Sequence, residues 1–192
     1  TAPPDIQPPD TTTVHTWGCP DLPWGSTLYT DGSGLASDTP ELRRCGWAVT
    51  VLNDKGMPVK AIFGGLPGPL QTVGRAERYA MLQAIKVNPN IKVIVTDFLG
   101  LVQEAKHWSP RLALAGGQHA TIWRAIVNEI RSQDREPPAV RWTPAHTTMR
   151  EAIARQIPIL DWAGDQWAYY FAKMGAGTIK INDSIVARTK AR

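Results

Sequence analysis

Four acidic side chains stand at positions from which they could meet at one site. Each belongs to a different segment of the chain, and they are Asp31, Glu77, Asp97 and Asp165. Carboxylate oxygens are hard ligands, and a group of them with open coordination positions suits Mg²⁺ or Mn²⁺. Without cations, burial and mutual repulsion would raise the pKa values of such a group. The four residues therefore predict a divalent-cation site if the fold brings them together.

Each acid also has an ordinary structural explanation. Asp31 could form a turn, Asp97 could cap a helix, and Glu77 could complement the positive end of a helix. Asp165 has a rival in Asp161, which lies four residues earlier on the same helix face. Like charges at this spacing destabilise a helix mildly, so we expect a positive group near them.

Five short segments have the apolar pattern of β-strands, and they cover residues 28–31, 47–52, 59–63, 91–95 and 140–143. Gly32-Ser33-Gly34 is expected to end the first strand, which would place Asp31 at a strand end. The turn sequence at 53–56 joins the second and third segments as a hairpin. Segment 91–95 is rich in β-branched residues, as is typical of a central strand, and Asp97 follows its carboxyl end.

Four further segments repeat apolar residues at three- and four-residue steps, as helices do, and they include residues 76–85, 99–107, 122–130 and 163–174. Gly175 and Gly177 are expected to stop the last helix. Trp47, Trp142 and Trp167 fall on predicted core faces. The element order βββαβααβα predicts an α/β fold with a five-stranded mixed β-sheet flanked by helices.

The composition is that of a single soluble domain with a slight basic excess. The chain has 192 residues, with 21 Lys and Arg against 17 Asp and Glu and a sequence pI near 9.2. This charge permits binding of polyanions without requiring it. Cys19 and Cys45 lack zinc-finger spacing, and no apolar run approaches the ~18 residues of a membrane span. We expect no membrane segment and an intracellular protein, in the cytoplasm or the nucleus.

The chain is expected to have three parts. Residues 1–26 carry six prolines and little periodic apolar content, so they are interpreted as a linker or an N-terminal arm. Residues 27–175 are expected to form the folded domain, and residues 176–192 a basic C-terminal tail. Because the sequence begins with Thr1, it is interpreted as a piece of a longer polypeptide.

Five motifs follow one another along the chain. They are Leu28-Tyr29-Thr30-Asp31-Gly32-Ser33-Gly34, Arg75-Ala76-Glu77-Arg78-Tyr79-Ala80, Ile94-Val95-Thr96-Asp97, Thr143-Pro144-Ala145-His146 and Asp161-Trp162-Ala163-Gly164-Asp165-Gln166-Trp167-Ala168. Each motif alone is weak. Together, from about Thr27 to Lys173, they resemble the type 1 ribonuclease H family, with every element in family order. The resemblance implies a ribonuclease H-like fold and a catalytic domain at 27–175.

The resemblance also implies an activity, which is hydrolysis of the RNA strand of RNA·DNA hybrids by an endonuclease that leaves 5′-phosphate ends. Two Mg²⁺ ions, replaceable by Mn²⁺, would be held by Asp31, Glu77, Asp97 and Asp165. The residues that would contact the 2′-hydroxyls of the RNA are Gly32, Ser33, Gly34 and Arg75. His146 would assist proton transfer or product release, with an ordinary surface histidine as the alternative.

The sequence departs from the family pattern at three points. Phe98 stands where the family usually has Ser, Asp161 replaces the usual Asn, and His146 lies unusually far from Asp165. The segment between His146 and Asp165, through 156–159, is interpreted as an insertion. Asp165 is favoured as the fourth acid, because small residues flank it, whereas Asp161 at the helix start is explained by N-capping.

Two other classes of function are compatible with this pattern. One is a nucleic-acid-binding module with weak or lost catalysis, and the other is a DNA-directed nuclease or integrase of the same fold. The intact acids argue against the first. The Thr30-Asp31-Gly32-Ser33 strand, the Glu77 helix and the His146 loop favour hybrid cleavage over the second. The proline-rich start fits a retroelement polyprotein containing a reverse transcriptase, so the protein is expected as a monomer or as part of such a polyprotein.

Overall fold

The structure is a computed structural model that describes residues 3–35, 38–107, 117 and 119–192. Within these residues, six strands form one mixed β-sheet. They are β1 (His15–Gly18), β2 (Thr27–Leu35), β3 (Arg44–Leu52), β4 (Pro58–Gly65), β5 (Val93–Thr96) and β6 (Ala139–Trp142). Their order across the sheet is β1-β4-β3-β2-β5-β6. The neighbouring pairs β1–β4, β4–β3 and β3–β2 are antiparallel. The pairs β2–β5 and β5–β6 are parallel.

Helices cover both faces of this sheet. The α-helices in the described residues are α1 (Val73–Val87), α2 (Leu99–Ala105), α3 (Ala120–Ser132), α4 (Met149–Ala154), α5 (Ile159–Thr178) and α6 (Asp183–Lys190). Because side chains alternate along a strand, Leu28 packs on the side of α1 and α3, and Tyr29 packs on the side of α5. Two short 3₁₀ helices lie at Pro4–Ile6 and Pro40–Leu42. No helix in the described part of the chain is both long and apolar enough to cross a membrane.

The expected α/β architecture with a mixed sheet and flanking helices is confirmed, but the expected count of five strands is wrong. The additional strand, β1, lies inside the proline-rich segment 1–26 and pairs antiparallel with β4. The Trp17 ring lies 5.3 Å from the Phe171 ring of α5, measured between centroids. Tertiary contacts therefore stabilise a four-residue edge strand that is too short for a visible alternation pattern.

Helix α5 continues past Gly175 and Gly177 to Thr178, so the predicted stop is wrong. Gly175 lies directly against the backbone of Gly64, and Gly46 lies against the backbone of α5 at Ala172 and Ala176. A side chain at Gly46 or Gly175 would overlap these backbone atoms. The glycine at 175 thus serves a close approach between helix and sheet and does not end the helix.

The two ends of the chain pack against each other. Ile6 and Ile181 are buried in one apolar cluster with Leu42. Arg188 and Asp5 form an ion pair, with 3.2 Å between Arg188 Nη2 and Asp5 Oδ2. The basic tail contains helix α6 and is not uniformly solvated, because part of it covers this cluster.

Candidate metal centre

Three aspartates from three elements meet at one point. Asp31 lies within β2, Asp97 directly follows β5, and Asp165 lies in α5. One carboxylate oxygen from each lies within 4.8 Å of the other two. The parallel register pairs Tyr29 with Val95, which brings Asp31 level with Asp97 two residues further on. The topology of the sheet and the helix above it therefore creates this cluster.

The prediction that Asp31 ends its strand is wrong. β2 continues to Leu35, because Gly32 and Gly34 stay paired with Trp47 and Cys45 of β3. Asp31 consequently points from the middle of a strand toward α5, and it is only 2 % exposed.

Glu77 joins the cluster from the opposite face of β2. Helix α1 approaches the strand so closely at Gly32 that a Cβ there would lie 2.5 Å from the Glu77 amide nitrogen. The buried Glu77 carboxyl is hydrogen-bonded to Asp31, and Thr96 Oγ1 donates to its Oε2 at 3.5 Å. Glu77 lies outside the group of three aspartates and is connected to it through Asp31. Gly32 is therefore what allows this fourth acid to reach the site.

Burial raises the pKa values of all four acids. The pKa of Asp31 is raised by burial first and then by the charges of Glu77 and Asp97, and the pKa of Glu77 by burial and Asp97. Burial also raises the pKa of Asp97. Burial and the charges of Asp97 and Asp31 raise the pKa of Asp165 to about 9. Without a bound cation, the site therefore favours the protonated form of these carboxyls.

Two oxygens in this cluster fit a metal ion. Asp31 Oδ2 and Asp165 Oδ1 are buried, and neither has a hydrogen-bond partner among the described residues. Buried polar atoms nearly always have partners, and a divalent cation is a partner that four carboxylates can share. The donor set is purely oxygen, which suits Mg²⁺ or Mn²⁺ better than softer metals.

Asp161 does not join the cluster. Arg141 of β6 donates Nε to its Oδ2 and Nη2 to its Oδ1, both at 2.9 Å. Tyr29 also hydrogen-bonds to Asp161, and burial, with the Asp161 charge, raises the pKa of Tyr29 to about 12. The predicted N-cap role is wrong, because α5 begins after Pro158 and Asp161 lies in its first turn. The positive group expected near the two aspartates is Arg141.

His146 lies at the rim of the cleft above the aspartates. Its side chain is exposed, its backbone has a positive φ of 54°, and its ring meets the Tyr169 ring edge-on at 5.6 Å. The segment after it, interpreted as an insertion, contains the short helix α4, which begins with a capping box between Thr148 and Glu151. This additional helix accounts for the distance in sequence between His146 and Asp165.

The cleft is lined by some of the predicted substrate residues and by others that the sequence did not reveal. Gly32, Ser33 and Gly34 line it, whereas Arg75 donates Nη1 to the Pro67 carbonyl at 2.5 Å and is not among its lining residues. Residues missed from the sequence are Val73, Phe98 and Tyr169. Tyr169 follows Asp165 by four residues, so their shared helix face could have indicated it.

The prediction that Trp142 lies in the core is wrong. Its side chain is 43 % exposed, and its indole Nε1 donates to the Asp97 carbonyl oxygen at 3.1 Å. Trp47, by contrast, is fully buried as predicted, and Trp167 is half-buried beside the apolar cluster of α5. Because β6 is an edge strand, Trp142 can face solvent and still donate a hydrogen bond to the backbone of Asp97.

Comparisons with known proteins identify the fold of this chain. No family model and no curated protein matches the sequence. Among solved structures, a foamy viral protease-reverse transcriptase in complex with an RNA/DNA hybrid is 17% identical with a TM-score of 0.56. That match covers 93% of this chain and 21% of the viral chain. This chain thus spans about a fifth of that protein.

Two further structures share the architecture. LC9-RNase H1, a type 1 RNase H with the type 2 active-site motif, is 17% identical with a TM-score of 0.58 over 83% of this chain and 75% of its own. The foamy viral protease-reverse transcriptase in complex with dsDNA is 18% identical with a TM-score of 0.55 over 82% of this chain and 99% of that chain. The chain therefore has the ribonuclease H fold.

Proposed function

We propose that this chain is a ribonuclease H that hydrolyses the RNA strand of RNA·DNA hybrids. The observation that carries the proposal is the meeting of Asp31, Asp97 and Asp165 within 4.8 Å beside an open cleft. Two buried oxygens of this group lack partners among the described residues. Such a cluster is costly in a protein without cations and useful in one that binds them. The fold shared with ribonucleases H supports the same activity.

In this proposal, the chain's own residues supply ligands, shape and a proton carrier. The three aspartates and Glu77 would hold divalent cations, Mg²⁺ or Mn²⁺. Bound cations would polarise the scissile phosphate and lower the pKa of water. His146 at the rim would take up or release a proton near Asp97, or assist departure of the product. Gly32 to Gly34, which have no bulky side chains, would let the sugar edge of the RNA strand approach the backbone.

The setting that we propose is a polyprotein of the retroelement type. Its support is the match to a fifth of a foamy viral protease-reverse transcriptase. In such a protein, hybrid cleavage would remove RNA after DNA synthesis. The nucleic acid would be the main partner, and the slight basic excess of the chain is compatible with it.

The test is incubation of the purified chain with end-labelled RNA·DNA hybrid, double-stranded RNA and duplex DNA, each with Mg²⁺, Mn²⁺ or EDTA. We expect cleavage of the RNA strand of the hybrid alone, in either metal, and none in EDTA. Cleavage of duplex DNA would instead identify a DNA-directed nuclease. Binding of hybrid without cleavage in any metal would identify a binding module, and either result would refute the proposal.

A further inference from the structure

Tyr169 lies between the acidic cluster and the His146 loop. It follows Asp165 by one turn of α5 and lines the same cleft as Asp97 and His146. Its ring and the His146 imidazole are 5.6 Å apart between centroids, with their planes at 86°. Lys173 Nζ lies 5.3 Å from the centroid of the Tyr169 ring. Tyr169 therefore has a defined orientation at the rim.

His146 requires such a support. It is one of three non-glycine residues with positive φ in the described part of the chain, with Asp134 and Gln156. Non-glycine residues in this conformation persist when surrounding contacts favour them. The imidazole is exposed, and the edge-to-face contact with Tyr169 has the geometry that aromatic pairs prefer. Without this ring, an exposed loop histidine would sample several rotamers.

Tyr169 is not needed for packing α5 on the sheet. Its side chain is 36 % exposed, and it does not belong to the apolar clusters of the described residues. The sheet-facing positions of α5 are occupied by Ala168, Phe171 and Ala172, which are fully buried. The ring of Tyr169 is therefore available for contacts within the cleft.

We propose that Tyr169 is a positioning residue that holds the His146 imidazole beside Asp97. It acts through His146 and not on the scissile bond. This inference rests on the proposed function, because His146 matters only if the cleft carries out the hydrolysis. The Tyr169 ring carries the role, and its hydroxyl does not, because both the edge-to-face contact and the Lys173 contact are made to the ring.

The test compares Tyr169→Leu, Tyr169→Phe, His146→Ala and the double variant Tyr169→Leu/His146→Ala on labelled hybrid in Mg²⁺. Tyr169→Leu should lower kcat about tenfold, as much as His146→Ala, with KM changed less than about twofold. The double variant should be no slower than His146→Ala, because residues acting as one unit are not additive. Tyr169→Phe, which keeps the ring, should restore kcat to within about twofold of the wild type.

A second readout does not depend on activity. The His146 Cε1–H resonance should shift in Tyr169→Leu, which lacks the ring current, and stay near its original position in Tyr169→Phe. Tyr170→Ala is the matched control, because this neighbouring exposed tyrosine contacts Trp167 and Phe171. It should change neither kcat nor the resonance.

The outcomes separate the two proposals. An unshifted His146 resonance in Tyr169→Leu, or a double variant slower by the product of the single losses, would overturn the positioning role. A wild-type chain that cuts no hybrid would refute the proposed function, and with it the purpose that we assign to Tyr169.

Discussion

Arg141 and Asp161 form a two-point ion pair, with both N–O distances at 2.9 Å, that connects edge strand β6 to the first turn of α5. The Asp161 side chain is 5 % exposed and that of Arg141 is 49 % exposed. This pair compensates the charge of one of the two aspartates that share a face of α5. The other, Asp165, retains an unpaired oxygen toward Asp31 and Asp97.

We predict that the two aspartates of α5 respond differently to the same substitution. Asp165→Asn should slow hybrid cleavage at least about tenfold and shift preference toward Mn²⁺, because it removes a proposed ligand. Asp161→Asn should change the rate less than about threefold, because its carboxylate binds Arg141. Single-turnover rates in each metal decide between them. A larger loss of activity in Asp161→Asn would show that the ligand is Asp161, one helical turn before Asp165.

The same ion pair gives a prediction for stability. Asp161→Asn should destabilise the fold by about 1 kcal/mol, a modest value because Arg141 is half exposed and solvent screens the pair. Arg141→Gln should cost a similar amount, and the double variant should be more stable than the sum of the two losses predicts. Urea denaturation of the four proteins measures this coupling. Strict additivity would show that the pair contributes no interaction energy.

We predict that Asp31→Asn and Asp97→Asn abolish hybrid cleavage while leaving the fold intact or more stable. Each removes a proposed ligand and relieves repulsion among buried carboxylates. The rate in Mg²⁺ should fall at least about 10³-fold. Circular dichroism and thermal melting should show a folded protein. Near wild-type cleavage by either folded variant would refute the assignment of the metal site.

The raised pKa of Asp165 predicts a pH dependence of stability in EDTA. Its value in the fold is about 9 against an ordinary 3.8, so the fold favours the protonated carboxyl. The resulting stabilisation is fully present below about pH 3.8 and is lost as the pH rises through about 9. Asp165→Asn does not titrate, so its melting temperature should exceed that of the wild type by a margin that grows with pH.

Thermal melts at pH 5.0 and pH 8.5 in EDTA measure this margin. We expect it to be at least about 3 °C larger at the higher pH, which corresponds to roughly 1 kcal/mol for a chain of this size. Asp54→Asn, at an exposed hairpin position outside the site, is the control for the same substitution elsewhere in the chain. A margin for Asp165→Asn that is constant or shrinks with pH would contradict the raised pKa.

Gly32 gives the sharpest steric prediction. Because a Cβ at this position would lie 2.5 Å from the Glu77 amide nitrogen, Gly32→Ala must displace α1 from β2. Glu77 would then lose its contact with Asp31, and cleavage should fall about 10²-fold, as expected for a displacement of about 1 Å at a reactive site. Gly117→Ala, where an added Cβ meets nothing within 4 Å, is the control. Equal rates for both variants would contradict the proposed role of this close approach.

The sequence predicted the parts of the molecule whose pattern is local. The apolar repeat of α1 and the β-branched run before Asp97 specify their own elements, and both lie where expected. Asp31, Asp97 and Asp165 could be predicted as members of one site, because each lies in a short motif that resembles a motif of the ribonuclease H family. The approach of Glu77 over Gly32 could not be foreseen, because it depends on the distance between a helix and a strand.

Features that depend on partners distant in sequence could not be predicted. β1 exists because β4 offers it an edge, and Arg141 neutralises Asp161 because β6 lies beside the start of α5. Trp142 was misassigned for the same reason, since nothing in its own segment shows that β6 lies at the border of the sheet. A prediction of such contacts requires the strand order first.

The glycine contacts between α5 and the sheet have a consequence for how the molecule opens. Helix backbone lies directly on strand backbone at Gly46 and Gly64, so any movement of α5 away from the sheet loses this close packing. Asp165 and Asp31 therefore belong to one cooperative unit, whose amides should exchange with solvent only through global unfolding. The packed chain ends around Ile6 and Ile181 belong to a separate, smaller apolar cluster and can fray independently. Thermal fraying of the termini should therefore leave the acidic cluster assembled.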